Sequence, residues 1–426
     1  MMEASLALVV ILVALLLGSA PIAVALGLTS LLYFYYFTTV PLTQVPERLF
    51  NSLNSFPLMA IPFFVLAANI MSRGGISKRL TDFGASLVGH FRGGLAITTV
   101  LACMFFAAVS GSSPATVVAV GAIMIPAMLK NGYPKEFSTG IVATSGSLGI
   151  LIPPSIPLIV YGISTEQNIG NLFVAGVLPG IVAGVLLLVM VVFVAWRRKY
   201  GLAGGEYRAT GKQRLLAFRD AILALLLPVV VLGGIYSGFF TPTEASAVAV
   251  AYSLIVSLFI YKELKFRQLW DVVITSARTS AMVMFIIANG ILFTFVLASE
   301  RIPGTVSEAI AAWDLQPWQF LILVNILLLF VGCVMETSSA ILILAPILLP
   351  IALELGIDPI HFGIIVVMNL EIGMITPPLG LNLFVASGMS GMSVLQVAKA
   401  ALPSALVLLL ALAIVTFVPF LSTAFI

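Results

Sequence analysis

The sequence predicts an all-α integral membrane protein built as an inverted-topology repeat, with two re-entrant hairpins and two broken helices. Three observations carry this. The 426-residue chain is 61% hydrophobic and only 9% charged, with a mean hydropathy of +1.18, against the roughly 25% charged residues of a soluble domain. Its apolar runs lack the two-residue alternation of a barrel strand, so helices must satisfy the backbone in lipid. Sliding the chain by 224 positions then lays one half on the other.

Taken in order, the N-terminus, MMEASLALVVILVALLLGSAPIAVALG, lacks the basic flank of a cleaved signal peptide and is expected to stay as a first span. Runs near 4–19, 20–37, 57–72, 172–196, 220–238, 244–261, 275–299 and 394–424 come near the ~20 residues that a span needs. The intervals 95–163 and 318–387 are equally apolar, but Gly, Pro, Ser and Thr cut them into pieces too short to cross alone. Such pieces point to hairpins and broken helices.

The shift aligns Phe106 with Phe330, Pro126 with Pro350, Gly132 with Gly356, Gly149 with Gly373, Pro153-Pro154 with Pro377-Pro378, and Leu178-Pro179 with Leu402-Pro403, without a gap. Between the halves, 197–219 holds seven Lys/Arg against the single acid Glu206, which predicts a cytoplasmic linker. The first repeat is therefore 1–196, with hairpin 1 over about 95–130 and a broken helix over about 138–163. The second is 220–426, with hairpin 2 over about 318–354 and a broken helix over about 361–387.

Charge orients the copies. Around hairpin 1, the segments 73–94 and 130–137 carry six basic residues (Arg73, Lys78, Arg79, Arg92, Lys130, Lys135) and two acids (Asp82, Glu136). Their counterparts, 300–318 and 354–361, carry one basic residue (Arg301) and five acids (Glu300, Glu308, Asp314, Glu354, Asp358). The positive-inside rule places the two hairpins on opposite faces, the arrangement of secondary transporters with midplane sites.

Chemistry is expected at four interruptions: Ser110-Gly111-Ser112-Ser113-Pro114, Gly149 to Ser155, Met335 to Ser339, and Gly373 to Pro378. Paired prolines remove two backbone donors and push preceding residues out of the helical region, freeing carbonyls that a hard cation such as Na⁺ can take up. Helix N-termini just past the tips, near Ala115 and Ser339, would favour an organic anion. Glu336 either serves as a ligand or bonds neighbouring backbone amides, and Glu371 is a weaker case of the same kind. Asn69, Asn289, Asn325 and Asn369 are expected to bond between helices. Cys103, Cys333, His90 and His361 are expected in the core or at the interface, too few and too scattered for a transition-metal or haem site. There is no HExxH, GxSxG or P-loop, so neither intramembrane hydrolysis nor ATP use is expected. A net charge of +3, spread over short loops, gives no reason to expect nucleic acid.

The stretch SGSSPATVVAVGAIMIPAMLKNGYP, the GILIPPSIPLIVYG break, GFFTPTEASAVAVAYSL at 238–254 and the GMITPPLGLNLFV break resemble the large membrane subunit of TRAP (tripartite ATP-independent periplasmic) transporters, in the ion-transporter superfamily. The resemblance covers essentially the whole chain. It implies a scaffold plus an elevator-type transport domain, Na⁺ coupling, residence in the bacterial inner membrane, a separate small four-helix membrane subunit and a periplasmic substrate-binding protein. Carried onto matching positions, one Na⁺ would use Ser110, Ser113, Gly149, Ile152 and Pro153, and the other Glu336, Thr337, Gly373 and Thr376. The substrate, of the C4-dicarboxylate or sialic acid class, would lie between the tips, near Ser112, Ser113, Pro154, Ser155, Thr337, Ser338 and Pro378. The competing expectation is a self-sufficient Na⁺/dicarboxylate symporter of the same superfamily, against which the TPTEASAVAV segment argues.

Overall fold

The computed structural model describes residues 2–18, 20–38, 41–200, 209–311, 313 and 315–426, among which there are helices and no strand. Glu206 and Asp314, used above to orient the chain, lie outside them. The chain opens with α1 (Met2–Leu17) and α2 (Ile22–Phe37), each of 16 residues. The runs read as spans at 4–19 and 20–37 are thus shorter helices, because Gly18 and Pro21 end one and start the next before a full crossing is reached.

Next come α3 (Gln44–Leu53), a 3₁₀ turn leading into α4 (Ala60–Arg73), and α5 (Ile76–Val88). The helices α3 and α5 were not expected. Their sequences, QVPERLFNSL and ISKRLTDFGASLV, mix charge with apolar residues and lay one apolar stripe on neighbours, as interfacial helices do. Hairpin 1 is α6 (Gly94–Ser110) and α7 (Ser113–Lys130). The first broken helix is α8 (Lys135–Ser145) with the single turn α9 (Leu148–Leu151), then α10 (Ile156–Ser164), bent by 42°. The long α11 (Ile169–Arg198) and α12 (Gly211–Tyr236) extend into the basic linker from both sides. Helix α12 begins nine residues before the expected span, on a Thr210–Gln213 capping box, because a helix does not stop where hydrocarbon ends.

The second half runs through α13 (Pro242–Ile255), prolonged by a π turn, α14 (Phe266–Ser299) and the unexpected α15 (Ile302–Ala311). Hairpin 2 is α16 (Pro317–Gly332) and α17 (Thr337–Glu354), and the second broken helix is α18 (Pro359–Gly373) and α19 (Leu381–Ser390). Last are α20 (Val394–Phe417) and α21 (Phe420–Thr423), so the expected 394–424 span ends early, at Val418-Pro419. The TPTEASAVAV segment opens α13 with a capping box: Glu244 Oε2 accepts from the Thr241 amide at 2.8 Å, and Thr241 Oγ1 accepts from the Glu244 amide at 3.3 Å.

Eight helices among the described residues are long and apolar enough to cross a membrane, α7 and α17 included, both of 18 residues. The second legs of the hairpins are thus longer than expected. Boundaries recur 224 positions apart: Ser113–Lys130 with Thr337–Glu354, Lys135 with Pro359, and Gly132 (φ +79°) with Gly356 (φ +73°). Hairpin 1 packs its α7 against α19 of the second break, while hairpin 2 packs its α17 against α10 of the first. Each hairpin is thereby held by the other half's broken helix.

Candidate functional site

At the tip of hairpin 1 the chain reverses through Gly111 at φ +60°, a left-handed conformation that suits glycine, and at a point where any Cβ would lie 2.7 Å from the Pro154 carbonyl oxygen. The Gly111 carbonyl accepts from the Ile156 amide at 3.3 Å, which docks the tip on the first break. Ser110 Oγ lies 2.8 Å from Thr116 Oγ1, and Thr116 Oγ1 donates to the Ser112 carbonyl at 2.9 Å. A ring of small oxygens results. In the break itself Ile152 is extended (φ −88°, ψ 119°), and the Pro153-Pro154 peptide is cis. Proline lacks an amide hydrogen, so the carbonyls of Gly149 and Ile150, four residues earlier, have no α-helical donor.

Hairpin 2 docks in the same way, the Cys333 carbonyl accepting from the Leu379 amide at 3.1 Å. Here Glu336 is the N-cap of α17: its Oε2 accepts from the Ser339 amide at 3.1 Å, and its Oε1 accepts from Ser338 Oγ at 2.9 Å. The bond to a neighbouring amide, one of the two expectations for Glu336, is thus formed. At hairpin 1 the corresponding N-cap, Ser112, makes no side-chain cap. One helix N-terminus thus already has a carboxylate against it, and the other is available to an anion. Among the described residues Thr337 Oγ1 donates only to the Met374 thioether, at 3.0 Å, a weak acceptor.

The Pro377-Pro378 peptide is also cis. The second break absorbs its carbonyls locally, that of Gly373 accepting from the Thr376 amide at 2.9 Å and that of Met374 from the Asn382 amide at 3.1 Å. Thr376 Oγ1 donates back to the Ile372 carbonyl at 2.8 Å. A cavity of about 260 Å³ opens beside this break, lined by Met335, Glu336, Met374, Leu379, Gly380 and Phe384 among others.

The named residues therefore divide. Ser110, Ser112, Gly149, Ile152 and Pro153 gather at the first tip and break, and Glu336, Thr337, Ser338, Gly373 and Thr376 at the second. Pro154 and Ser155 are buried beneath the first tip, Ser155 capping α10, whereas Pro378 is exposed. Ser113 is buried and bonds Asn382 of the second half. Asn69 bonds Ser276 and Asn369 bonds Asn325, both between helices, but among the described residues Asn289 bonds the Phe285 carbonyl of its own helix. Thr116, Ser147 and Asn382 were not singled out from the sequence. Short polar side chains in apolar runs stand out little, and Asn382 finds its partners 235 and 269 positions away.

A family model described as "Tripartite ATP-independent periplasmic transporter, DctM component" matches residues 9–421. The chain is 47% identical over 430 residues to the C4-dicarboxylate TRAP transporter large permease protein DctM of Rhodobacter capsulatus, covering 97% of each chain. It is 50% identical over 400 residues to the protein of the same name from Pseudomonas aeruginosa, covering 94% of this chain and 93% of that one. Among solved structures, the YdaH transporter of Alcanivorax borkumensis superposes with a TM-score of 0.64 over 89% of each chain, at 16% identity, a likeness of fold alone.

Proposed function

We propose a function from the premise that this chain belongs to the DctM component family of the tripartite ATP-independent periplasmic transporters, as a multi-span protein of the bacterial inner membrane. It is the large membrane subunit of a Na⁺-coupled, binding-protein-dependent importer of a small organic acid, working with a separate small membrane subunit. The relatives named for C4-dicarboxylates make these acids the first candidates, ahead of the sialic acid class.

The observation that carries the ion-coupled reading is the pairing of two proline breaks with two hairpin tips at the same sequence offset. A hard, monovalent cation fits the first pair: hydroxyl oxygens of Ser110 and Thr116 gather with the Ser112 carbonyl, next to a break whose carbonyls lack helical donors. At the second pair Glu336 and the Thr337 hydroxyl would contribute beside the cavity, with Gly373 and Thr376 in the break. The substrate carboxylate would meet the uncapped N-terminus of α7, near Ser112.

Reversed charge at the bases of the hairpins supports an inverted repeat. Cross-packing of α7 on α19 and of α17 on α10 supports a body of hairpins and broken helices that moves as one against a scaffold that includes α2, α4, α13 and α14, an elevator motion. Membership of the family weighs against the self-sufficient symporter.

In proteoliposomes holding this chain and its small subunit, uptake of labelled succinate is expected only with the binding protein present and an inward Na⁺ gradient imposed. ATP is expected to change nothing. Full-rate uptake without the binding protein would overturn the tripartite reading, and full-rate uptake in choline would overturn the Na⁺ coupling.

A further inference from the structure

Helix α18 carries a carboxylate with no solvent around it. Glu371 has 0% exposure, and none of its described hydrogen-bond partners is cationic. Its Oε1 accepts from Asn382 Nδ2 at 3.1 Å. The same Nδ2 donates to Ser113 Oγ, and to Ser147 Oγ at 3.4 Å. Two oxygens are then left over, since Glu371 Oε2 and Asn382 Oδ1 have no hydrogen-bond partner among the described residues although both residues are fully buried. The hydroxyl of Ser145, two residues from Ser147 and also buried, is likewise unpartnered.

These groups come from four places that meet only in the folded chain. Ser113 starts α7 of hairpin 1, Ser147 sits between α8 and α9, Glu371 lies just before the second break, and Asn382 just after it. The cluster gathers the Glu371 carboxyl, the Asn382 amide and the hydroxyls of Ser113, Ser145 and Ser147, and none of the described groups in it is a cation. A buried carboxylate in such surroundings is costly unless an opposite charge joins it. One carboxylate, one amide oxygen and hydroxyls, without nitrogen or thiolate donors, suit a hard monovalent cation better than a transition metal, and better than a divalent ion that would call for more acids.

We propose that Glu371, Asn382, Ser113 and Ser147 form a further cation site, in which the first tip takes part only through the Ser113 side chain, and which takes Na⁺ and joins hairpin 1 to the second break. The choice of Na⁺ rests on the ion-coupled reading above, whereas the site itself rests on the buried, unpaired oxygens. Binding there neutralises Glu371 and clamps α7 against α18 and α19, so loading of one half is felt by the other.

The test uses the complex with its small subunit and binding protein, and two readouts: the half-saturating Na⁺ concentration for uptake, and the unfolding midpoint in NaCl against choline chloride. Glu371→Gln, which keeps the shape and removes the charge, is expected to raise the half-saturating Na⁺ concentration about tenfold and to reduce the Na⁺-dependent rise in midpoint. In choline its midpoint should equal or exceed the wild type's, because an uncompensated charge is gone. Ser147→Ala should shift the Na⁺ dependence in the same direction by less.

Wild-type Na⁺ dependence in Glu371→Gln, with Ser110→Ala and Thr337→Ala shifted, would overturn this site and leave the proposed function standing. If Glu371→Gln does not fold, Ser147→Ala and Glu371→Asp decide, and an unshifted Na⁺ response in both overturns the site. No Na⁺ response in the wild type would overturn both proposals.

Discussion

Replacing Gly373 by valine is expected to abolish uptake and to lower the unfolding midpoint of the purified protein more than any other single substitution at the two breaks. Helices α16 and α18 cross there at backbone contact: a Cβ on Gly373 would lie 2.7 Å from the Gly332 carbonyl oxygen, and a Cβ on Gly332 would lie 2.9 Å from that of Leu370. What would have to move is main chain on both sides, not the end of a flexible side chain. Overpacking a well-packed core costs typically about 1–3 kcal/mol, and a rigid neighbour puts the cost at the upper end or beyond. The displaced element is the first leg of hairpin 2, so its tip would leave the break it docks on through Cys333 and Leu379. Gly388→Ala in α19, where a Cβ would meet nothing within 4 Å, should behave as wild type in both assays. A Gly373→Val protein with normal uptake would show that hairpin 2 and the second break need not touch.

The second large effect is expected at the tip hydroxyls. Ser110→Ala removes an oxygen from the ring with Thr116 and the Ser112 carbonyl. Thr337→Ala removes a hydroxyl whose only described partner is a thioether, and which is therefore free to turn to a cation. Losing one contact to a charged group costs about 1.5–3 kcal/mol, a rise of roughly ten- to a hundredfold in the half-saturating Na⁺ concentration. Uptake should recover at high Na⁺, since neither change disturbs a helix cap or a close backbone contact. Lys212→Ala, on the exposed start of α12, should leave the Na⁺ curve where it was. Unshifted curves for both tip variants would confine any Na⁺ contacts to the backbone of the breaks.

The membrane class, the long apolar helices and the four interruptions were legible in the sequence because each leaves a local mark. Apolar length marks the spans, and Gly, Ser and doubled Pro mark the tips and breaks. Helix ends were less legible, since α12 is set by a Thr210–Gln213 cap well inside charged sequence and α20 stops at Pro419 rather than at a polar residue. The helices α3 and α5 were missed because their charged residues look like loop composition when the apolar stripe is short, and α15 because it is only ten residues long and opens on Pro303-Gly304, a turn-like pair. Glu336 offered a local signal that was read only in part, as the spacing to Ser339 is that of an N-cap to the third helical residue. The Glu371 cluster offered none beyond an acid in an apolar run, because Ser113, Ser147 and Asn382 are brought together by cross-packing of the two halves.

The claim on which the rest depends is that the folded chain binds Na⁺. It is tested most directly by thermal unfolding of the purified protein with its small subunit, titrated with NaCl against choline chloride at constant ionic strength. A saturable Na⁺-specific rise in midpoint is expected, corresponding to about 2.7 kcal/mol when Na⁺ reaches a hundred times its dissociation constant at one site, and smaller in Ser110→Ala, Thr337→Ala and Glu371→Gln. Identical midpoints in NaCl and choline chloride throughout the titration would contradict it.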